Sequence, residues 1–129
     1  MQMQKRRKII KMAVETHNAK EEISEIIENC IKCGLCKSLC PVFKVIREEQ
    51  FSPRGRVIMF ENGFIEKLVY DCNLCKACEV QCPVNLKLCS AFIKARQVLV
   101  SQGKEFSRNK EIIKNLNKTG NVYGIVEGE

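Results

Sequence analysis

Apolar residues recur at three- and four-residue steps along most of the chain, which is the spacing of one face of an α-helix. The first such segment predicts a helix over 19–29 that leads directly to Cys30. Asn18 is expected to cap this helix, because Glu21 follows three residues later, as in a capping box. Its predicted apolar face carries Ile23, Ile26 and Ile27.

The same pattern predicts further helices towards the C-terminus. The stretch SPRGR at 52–56 is a helix start, with Ser52 as the N-cap and Pro53 in the first helical position. The remaining predicted helices are a short one carrying Phe64, Ile65, Leu68 and Val69, a long one over 85–102 that ends at Gly103, and a last one from Ser107 to Gly120.

No segment alternates apolar and polar residues between hairpin turns, so the chain is predicted to be all-α. Its 129 residues suit one domain with a modest core, to which bound metal often adds stability. We expect a basic, flexible N-terminal arm (1–18), a helical domain (19–120) and a C-terminal tail (121–129).

The chain is basic, with a formal net charge of +7 at pH 7, and its one concentrated basic patch lies within 5–11. Such a patch without interleaved aromatic residues is typical of a solvated arm, so no nucleic-acid partner is expected. We find no signal peptide and no apolar run near the roughly 18 residues of a membrane span. We therefore expect a cytoplasmic protein that reaches a membrane only through a partner.

Eight of the nine cysteines fall in two copies of one pattern. CIKCGLCKSLCPV begins at Cys30 and CNLCKACEVQCPV begins at Cys72, so equivalent positions are 42 residues apart. Both copies have the spacing C-x2-C-x2-C-x3-C-P. This spacing is typical of bacterial ferredoxins, in which the fourth cysteine ligates the other of two clusters.

The shape of a four-iron cubane explains the spacing. Three thiolates at three-residue intervals let a turning backbone wrap one corner of the cluster, and the proline directs the fourth cysteine away. Each cluster is therefore expected to take its fourth ligand from the other motif. The predicted ligands are Cys30, Cys33, Cys36 and Cys82 for the first [4Fe-4S] cluster, and Cys72, Cys75, Cys78 and Cys40 for the second.

Disulfides and zinc are the alternative uses of so many cysteines. A disulfide framework belongs to exported proteins, and a zinc site takes two pairs of ligands, which leaves a third cysteine redundant. Both alternatives are disfavoured. The ninth cysteine, Cys89, lies on the apolar stripe of the long predicted helix and is expected to be a buried packing residue.

Other residues are expected to support the clusters or to lie outside the site. His17 is predicted to be at the surface, and Gly34 and Gly55 are expected to meet steric needs beside a cluster and at a helix start. No arrangement of residues typical of a catalytic site is present, so no catalytic residue is assigned. Apolar residues between the ligands fit either walls that keep water from the clusters or ordinary core packing: Ile31, Leu35, Leu39, Leu74 and Val80.

With these motifs the chain resembles the N-terminal ferredoxin half of a family of large iron–sulfur oxidoreductases. The family includes the D subunit of heterodisulfide reductase and the iron–sulfur subunits of glycolate oxidase, lactate-utilisation enzymes and anaerobic glycerol-3-phosphate dehydrogenase. The resemblance covers about 20–124 and rests on the cysteine motifs, SPRGR, KARQVLVSQG and the closing NLNKTGNVYG.

This resemblance implies an α-helical ferredoxin fold, with two [4Fe-4S] clusters between helices and the eight cysteine ligands named above. Larger members of the family continue into two cysteine-rich CCG-type repeats that hold the substrate-facing cofactor. No adjacent cysteine pair occurs in this chain, so the catalytic roles of those repeats are not carried over.

The leading hypothesis is an electron-transfer subunit that relays single electrons in a heterodisulfide reductase-like or 2-hydroxy-acid oxidase-like complex. Its expected partners are an electron donor or acceptor protein and an oxidoreductase subunit with CCG-type repeats or a flavin. One alternative is a self-contained iron–sulfur enzyme, which would normally leave one cluster with three cysteine ligands. The other is an iron–sulfur regulator, for which the basic arm is the only indication.

Overall fold

The computed structural model describes residues 1–126 and 128 of the chain. In this part the chain forms α-helices and short 3₁₀ turns without any strand, so the all-α prediction is confirmed. The α-helices are Gln2–Ile27 (α1), Pro41–Ile46 (α2), Pro53–Glu61 (α3), Ala77–Gln81 (α4), Leu88–Ser101 (α5) and Ser107–Thr119 (α6). The 3₁₀ turns are Leu35–Lys37, Glu49–Phe51 and Lys67–Asp71.

The core lies between α1 and α5, which make the most extensive contact of any two elements in the described part. Polar contacts flank it: Lys94 pairs with Glu22 (Nζ to Oε2, 2.8 Å), and the Thr16 hydroxyl donates to that of Ser101 (2.7 Å). The buried apolar residues include Ala19, Ile23, Ile27, Val57, Phe60, Val69, Ala91, Phe92, Ala95, Val98 and Leu99. Partly buried cysteines pack against this core: Cys30, Cys36, Cys72 and Cys82.

α1 begins at Gln2, whereas the sequence pattern predicted a start near Ala19 with Asn18 as the cap. That prediction was wrong because no Gly or Pro occurs before Gly34 and most residues ahead of Asn18 favour helices, so nothing ends the helix there. The residues expected to form an arm are therefore helical, and positions 1–11 are exposed. The division of the chain into arm, domain and tail stays a prediction.

α3 begins as predicted, at Pro53 with Ser52 as its N-cap. The fully buried Ser52 hydroxyl accepts a hydrogen bond from the Gly55 N–H (2.9 Å) and donates one to the Glu49 carbonyl (2.7 Å). The same side chain thus caps α3 and holds it against the preceding 3₁₀ turn. This contact sets the position of the two arginines in SPRGR.

Other boundaries differ from the predicted ones by a few residues. α5 begins at Leu88 instead of Asn85, because Asn85 has a left-handed backbone (φ 54°). The short helix expected before the second motif is the 3₁₀ turn Lys67–Asp71. Ser107 is the first residue of α6 and not its cap, and no side chain caps that end.

α6 carries its apolar residues on an uncovered face. None of its residues is buried, and Ile112, Ile113 and Leu116 are 43–50% exposed. Gly120 ends the helix with a left-handed backbone (φ 76°), as predicted. None of the helices within 1–126 is long and apolar enough to cross a membrane.

Candidate metal centre

The eight cysteines of the two motifs line two separate cavities. The first is lined by Cys30, Cys33, Cys36 and Cys82. The second is lined by Cys40, Cys72, Cys75 and Cys78. Each cavity therefore takes three cysteines from one motif and a fourth from the other.

The two motifs repeat in backbone conformation as well as in sequence. In each, the residues just before and just after the second cysteine are left-handed: Lys32 (φ 56°) and Gly34 (φ 78°), then Leu74 (φ 56°) and Lys76 (φ 63°). Non-glycine residues adopt this conformation at a cost of order 1 kcal/mol. Turns of this kind point successive N–H groups into one concavity, an arrangement found at phosphate and Fe–S sites.

Helix ends deliver several of the cysteines. The Cys30 N–H donates to the Ile27 carbonyl (3.0 Å) at the end of α1. Cys40 is the residue before α2, with Pro41 in the first helical position, and Cys82 directly follows α4. The proline after the first motif therefore starts a helix, and Val42 of this helix lines the second cavity together with Cys40.

Arg96 on α5 anchors the start of the second motif through hydrogen bonds to backbone carbonyls. Its guanidinium donates to the carbonyls of Val69 (Nη2, 3.2 Å) and Cys72, and it lies 5.5 Å from the centre of the Tyr70 ring. No sequence pattern singled out Arg96, because the carbonyls it binds lie 24 and 27 positions earlier in the chain. It is a positioning residue for the loop that enters the second cavity.

Backbone N–H groups also reach cysteine sulfurs in both cavities. The Leu74 N–H donates to Cys72 Sγ (3.4 Å), and the Leu86 N–H donates to Cys82 Sγ (3.5 Å). Burial raises the pKa of the Cys36 thiol, which therefore resists deprotonation on its own. A bound metal supplies the positive charge that stabilises thiolates in such surroundings.

SPRGR lies between the cavities and contributes to both. Arg54 lines the first cavity, while Pro53 and Arg56 line the second. Arg56 is only 1% exposed, and its Nε and Nη2 have no hydrogen-bond partner within the described residues. Because a buried cation without a partner is costly, the second cavity suits an anionic group such as a cluster with four thiolates.

The two glycines singled out by the sequence meet close neighbours. A Cβ on Gly34 would lie 2.9 Å from Arg54 Nη1, beside the first cavity. A Cβ on Gly55 would lie 1.8 Å from the Glu49 carbonyl oxygen. Both observations agree with the expected steric roles.

In the described part of the chain, no group of three or more His, Cys, Asp or Glu side chains is placed to hold a single metal ion. The four protein ligands of a cubane bind four different irons. Cysteines that hold a cluster therefore surround a space instead of converging on one point.

The apolar residues between the ligands, expected at cavity walls or in the core, are mostly exposed. Four of them are 43–83% exposed: Ile31, Leu35, Leu39 and Val80. The prediction was wrong for Leu35, Leu39 and Val80, whose side chains face solvent. Ile31 lines the first cavity in spite of its exposure, and Leu74 packs against the core. Side chains distant in sequence form the walls instead, among them Val57, Leu86 and Leu88 at the first cavity and Phe92 at the second.

Cys89 and His17 are placed as the sequence indicated. Cys89 is buried (3% exposed) on α5, and it also lines the second cavity, within reach of the Cys78 thiol. His17 is exposed and lies 3.7 Å from Glu21 (Nδ1 to Oε2).

Comparison with known proteins identifies the metal-binding region. Residues 26–86 match the family described as a 4Fe-4S dicluster domain. This region contains both cysteine motifs and the SPRGR segment between them. Residues 26–86 are therefore similar to 4Fe-4S dicluster domains. Both α5 and α6 lie beyond the matched region of this dicluster domain, and most of α1 precedes it.

Curated relatives place the dicluster domain within longer proteins. The chain is 33% identical over 82 residues to the uncharacterized electron transport protein YkgF of Escherichia coli (57% of this chain, 17% of the relative). It is 30% identical over 96 residues to the probable glycolate oxidase iron-sulfur subunit of Bacillus subtilis (67% and 21%). It is 30% identical over 95 residues to a protein of Buchnera aphidicola that is named as a component of an ion-translocating oxidoreductase complex (74% and 20%).

The chain therefore spans about a fifth of the length of these relatives. The resemblance to iron–sulfur oxidoreductases, first stated from the motifs, is confirmed by the dicluster domain and by the relatives named as iron–sulfur subunits. No solved structure matches the chain.

Proposed function

We propose that the chain is an electron-transfer protein or subunit with two [4Fe-4S] clusters. Cys30, Cys33, Cys36 and Cys82 bind the first cluster in this proposal, and Cys40, Cys72, Cys75 and Cys78 bind the second. The proposal depends on one observation: the motif cysteines that line each cavity are three from one motif and one from the other, and Cys89 lies beside them at the second cavity. Each bound cluster supplies a centre that accepts and returns one electron.

The chain's own residues hold these centres and adjust their surroundings. The left-handed turns beside Cys33 and Cys75 are of the kind that direct backbone N–H groups into a concavity, and apolar walls such as Phe92 lower the local dielectric. N–H bonds to cysteine sulfur favour the more negative, reduced state of a cluster. A complete set of four cysteines at each cavity favours electron relay over substrate binding at an open iron.

The cluster content is tested on protein purified without oxygen. We expect about eight irons and eight acid-labile sulfides per chain, and two interacting [4Fe-4S] signals by electron paramagnetic resonance after reduction. About four irons per chain, or stoichiometric zinc in place of iron, would contradict the proposal. Removal of the iron should also reduce the helical circular dichroism, because both cysteine loops pack against the helical core.

The crossed ligation is tested with two variants from the same motif. Cys40→Ala should disturb the cluster bound by Cys72, Cys75 and Cys78, whereas Cys36→Ala should disturb the cluster bound by Cys30 and Cys33. The signals are assigned by which variant broadens or removes each of them. If both variants affect the same cluster, the ligands are not shared between the motifs.

We propose that the chain works in an oxidoreductase complex of the heterodisulfide reductase-like or 2-hydroxy-acid oxidase-like kind. Relatives named as an iron-sulfur subunit and as a component of an ion-translocating oxidoreductase complex support this class. Its proposed partner is a subunit with CCG-type repeats or a flavin, and the proposed location is the cytoplasm, where thiols stay reduced. Anaerobic co-purification from the native host, followed by analysis of the partner's cofactors, tests the proposal.

The segment after α6 is the proposed docking site for this partner. Asn121 folds it into a turn, because its Oδ1 accepts hydrogen bonds from the N–H groups of Tyr123 (3.1 Å) and Ile125 (3.0 Å). Asn115 of α6 donates to the Val122 carbonyl (3.2 Å) and fastens the turn to the helix. Tyr123 and Ile125 are 80% and 61% exposed, which gives the turn an apolar outer surface. Positions 127 and 129 of the predicted tail lie outside the described residues.

Truncation after Gly120 should leave both cluster signals intact and slow the reduction of the co-purified partner. Asn121→Ala is the milder variant, because it releases the turn without removing Tyr123 or Ile125. We expect it to slow the same reaction less than truncation does. Partner reduction at the rate of the full chain after truncation would refute the docking role.

A further inference from the structure

SPRGR gives each cavity one arginine, and the two arginines differ in their surroundings. Arg54 lines the first cavity and Arg56 the second. Only Gly55 separates the two residues in α3. Their ion-pair partners differ, and this difference determines which arginine has a positive charge that the protein does not neutralise.

The cations at the first cavity already have carboxylate partners. Arg54 donates from Nε to Glu49 Oε1 (2.9 Å), and its side chain is 30% exposed. Lys32, which also lines this cavity, pairs with Glu61 (Nζ to Oε1, 2.8 Å). Much of the positive charge at this cavity is thus neutralised by the protein and screened by solvent.

Arg56 has no such partner. It is 1% exposed, and no carboxylate in the described part of the chain lies within ion-pair distance of it. Its guanidinium carbon lies 5.4 Å from the centre of the Phe92 ring, but a ring face offers no lone pair to Nε and Nη2, which remain unpartnered. A fully buried cation with unpaired hydrogen-bond donors destabilises a fold unless an anion pairs with it.

We propose that Arg56 is the fixed counter-charge of the second cluster and raises its reduction potential. The inference rests on the proposed function, since it requires a cluster bound by Cys40, Cys72, Cys75 and Cys78. Reduction adds one electron and breaks no bond, so the site gains one negative charge. A positive charge nearby in a medium of low dielectric favours that state, and arginine cannot release a proton in response.

An acidic group that contacts the backbone of a residue lining the second cavity acts in the opposite direction. The Glu79 carboxylate follows Cys78 in the chain and accepts a hydrogen bond from the Cys89 N–H (Oε1, 3.0 Å). Its negative charge disfavours reduction of the second cluster. Glu79→Gln therefore serves as a control of opposite sign at the same cavity.

The test is an anaerobic redox titration of the iron-loaded chain, followed by electron paramagnetic resonance, on Arg56→Met and Arg56→Lys. Met and Lys have similar length but differ in charge, so packing and charge are separated. Arg56→Met should shift one reduction wave to lower potential by at least a tenfold change in its equilibrium constant, which is 59 mV for one electron. Arg56→Lys should retain most of the wild-type value, and Glu79→Gln should shift the same wave upward.

Ligand variants assign the wave to a cavity. Cys75→Ser alters the second cluster alone, and Cys33→Ser alters the first alone. The inference requires that the wave moved by Arg56→Met is the wave altered by Cys75→Ser. Arg54→Met should move the other wave by a smaller factor, because Glu49 already neutralises Arg54.

The inference would also be overturned by no shift in Arg56→Met, or by equal shifts in Arg56→Met and Arg56→Lys. If Arg56→Met loses the second cluster altogether, the iron content decides: eight irons in Arg56→Lys and four in Arg56→Met support a role for the charge. Four irons in both variants would mean that shape and not charge matters. Failure of the proposed function is seen separately, as fewer than two clusters in the unmodified chain.

Discussion

Gly55→Ala separates local helix propensity from tertiary packing, because the two predict opposite signs. Gly55 lies in the first turn of α3, where its backbone is ordinary for a helix. On propensity alone, alanine should stabilise a helix position by about 1 kcal/mol. The structure predicts the reverse, since the added Cβ would lie 1.8 Å from the Glu49 carbonyl oxygen.

The expected loss of stability in Gly55→Ala follows from the 1.8 Å distance between the added Cβ and the Glu49 carbonyl oxygen. An acceptable carbon–oxygen contact is about 3.3 Å, so the 3₁₀ turn that carries Glu49 must move by roughly 1.5 Å. Overpacking of a tight contact costs about 1–3 kcal/mol. The displacement also strains the Ser52 cap, whose oxygen would lie 3.1 Å from the new Cβ and whose loss costs about 1 kcal/mol. After subtraction of the propensity gain, we expect a net destabilisation of about 1–3 kcal/mol.

The assay is thermal unfolding of the iron-loaded chain without oxygen, followed by helical circular dichroism and by iron release. For a chain of 129 residues the apparent Tm should fall by roughly 4–10 °C. Gly103→Ala is the matched control, because no atom lies within 4 Å of its added Cβ. Its left-handed backbone (φ 71°) should cost about 1 kcal/mol without any effect on iron content.

Iron release distinguishes the two glycines further, because Gly55 lies in the chain between Arg54 and Arg56, which line the two cavities, whereas Gly103 is adjacent to no residue that lines either cavity. We expect Gly55→Ala to lose iron faster than the wild type, and Gly103→Ala to lose it at the wild-type rate. A Tm for Gly55→Ala equal to or above that of the wild type would refute the steric argument and leave helix propensity as the better guide.

Three further predictions concern packing, loop anchoring and acid stability. Phe92→Ala should destabilise the chain by about 3–5 kcal/mol in anaerobic denaturant unfolding, because Phe92 is fully buried and also forms a wall of the second cavity. Arg96→Ala should release iron from the second cluster faster than Arg96→Lys does, measured with an iron chelator. Only the planar guanidinium of Arg96 can donate to the carbonyls of Val69 and Cys72 at the same time. Desolvation acts to raise the pKa of Glu49, but hydrogen bonds from Lys37 and Arg54 lower it overall. The contribution of Glu49 to stability is therefore complete above the ordinary glutamate pKa and is lost as the pH falls through the lowered folded value. Glu49→Gln should accordingly lose less stability than the wild type over that acidic range, measured by denaturant unfolding at each pH.

The sequence by itself determined the features that depend on near neighbours. Ser52 and Pro53 define the start of α3 within three residues, and Gly120 defines the end of α6, because caps and left-handed glycines act over one helical turn. The repeated cysteine spacing indicated the kind of cofactor for the same reason. A cubane is small enough that three of its ligands come from seven consecutive residues.

Features that depend on distant contacts were missed or wrongly placed. The extent of α1 was missed because contacts with α5 on both sides of Asn18, from Thr16 to Ser101 and from Glu22 to Lys94, keep the helix continuous through a residue that favours caps. The exposure of Ile31 and Val80 was missed because local composition does not state which side of a loop faces the core.

Tertiary structure alone decided what surrounds the cavities. Arg54 and Arg56 have equal charge and lie two positions apart, yet one meets Glu49 and solvent and the other is buried without a partner among the described residues. Helical geometry explains the difference, since residues two apart project about 200° from each other around the axis and enter different environments. Charge is encoded in the sequence, but its electrostatic effect depends on burial and partners, which only the packing of α3 between the two cysteine loops supplies.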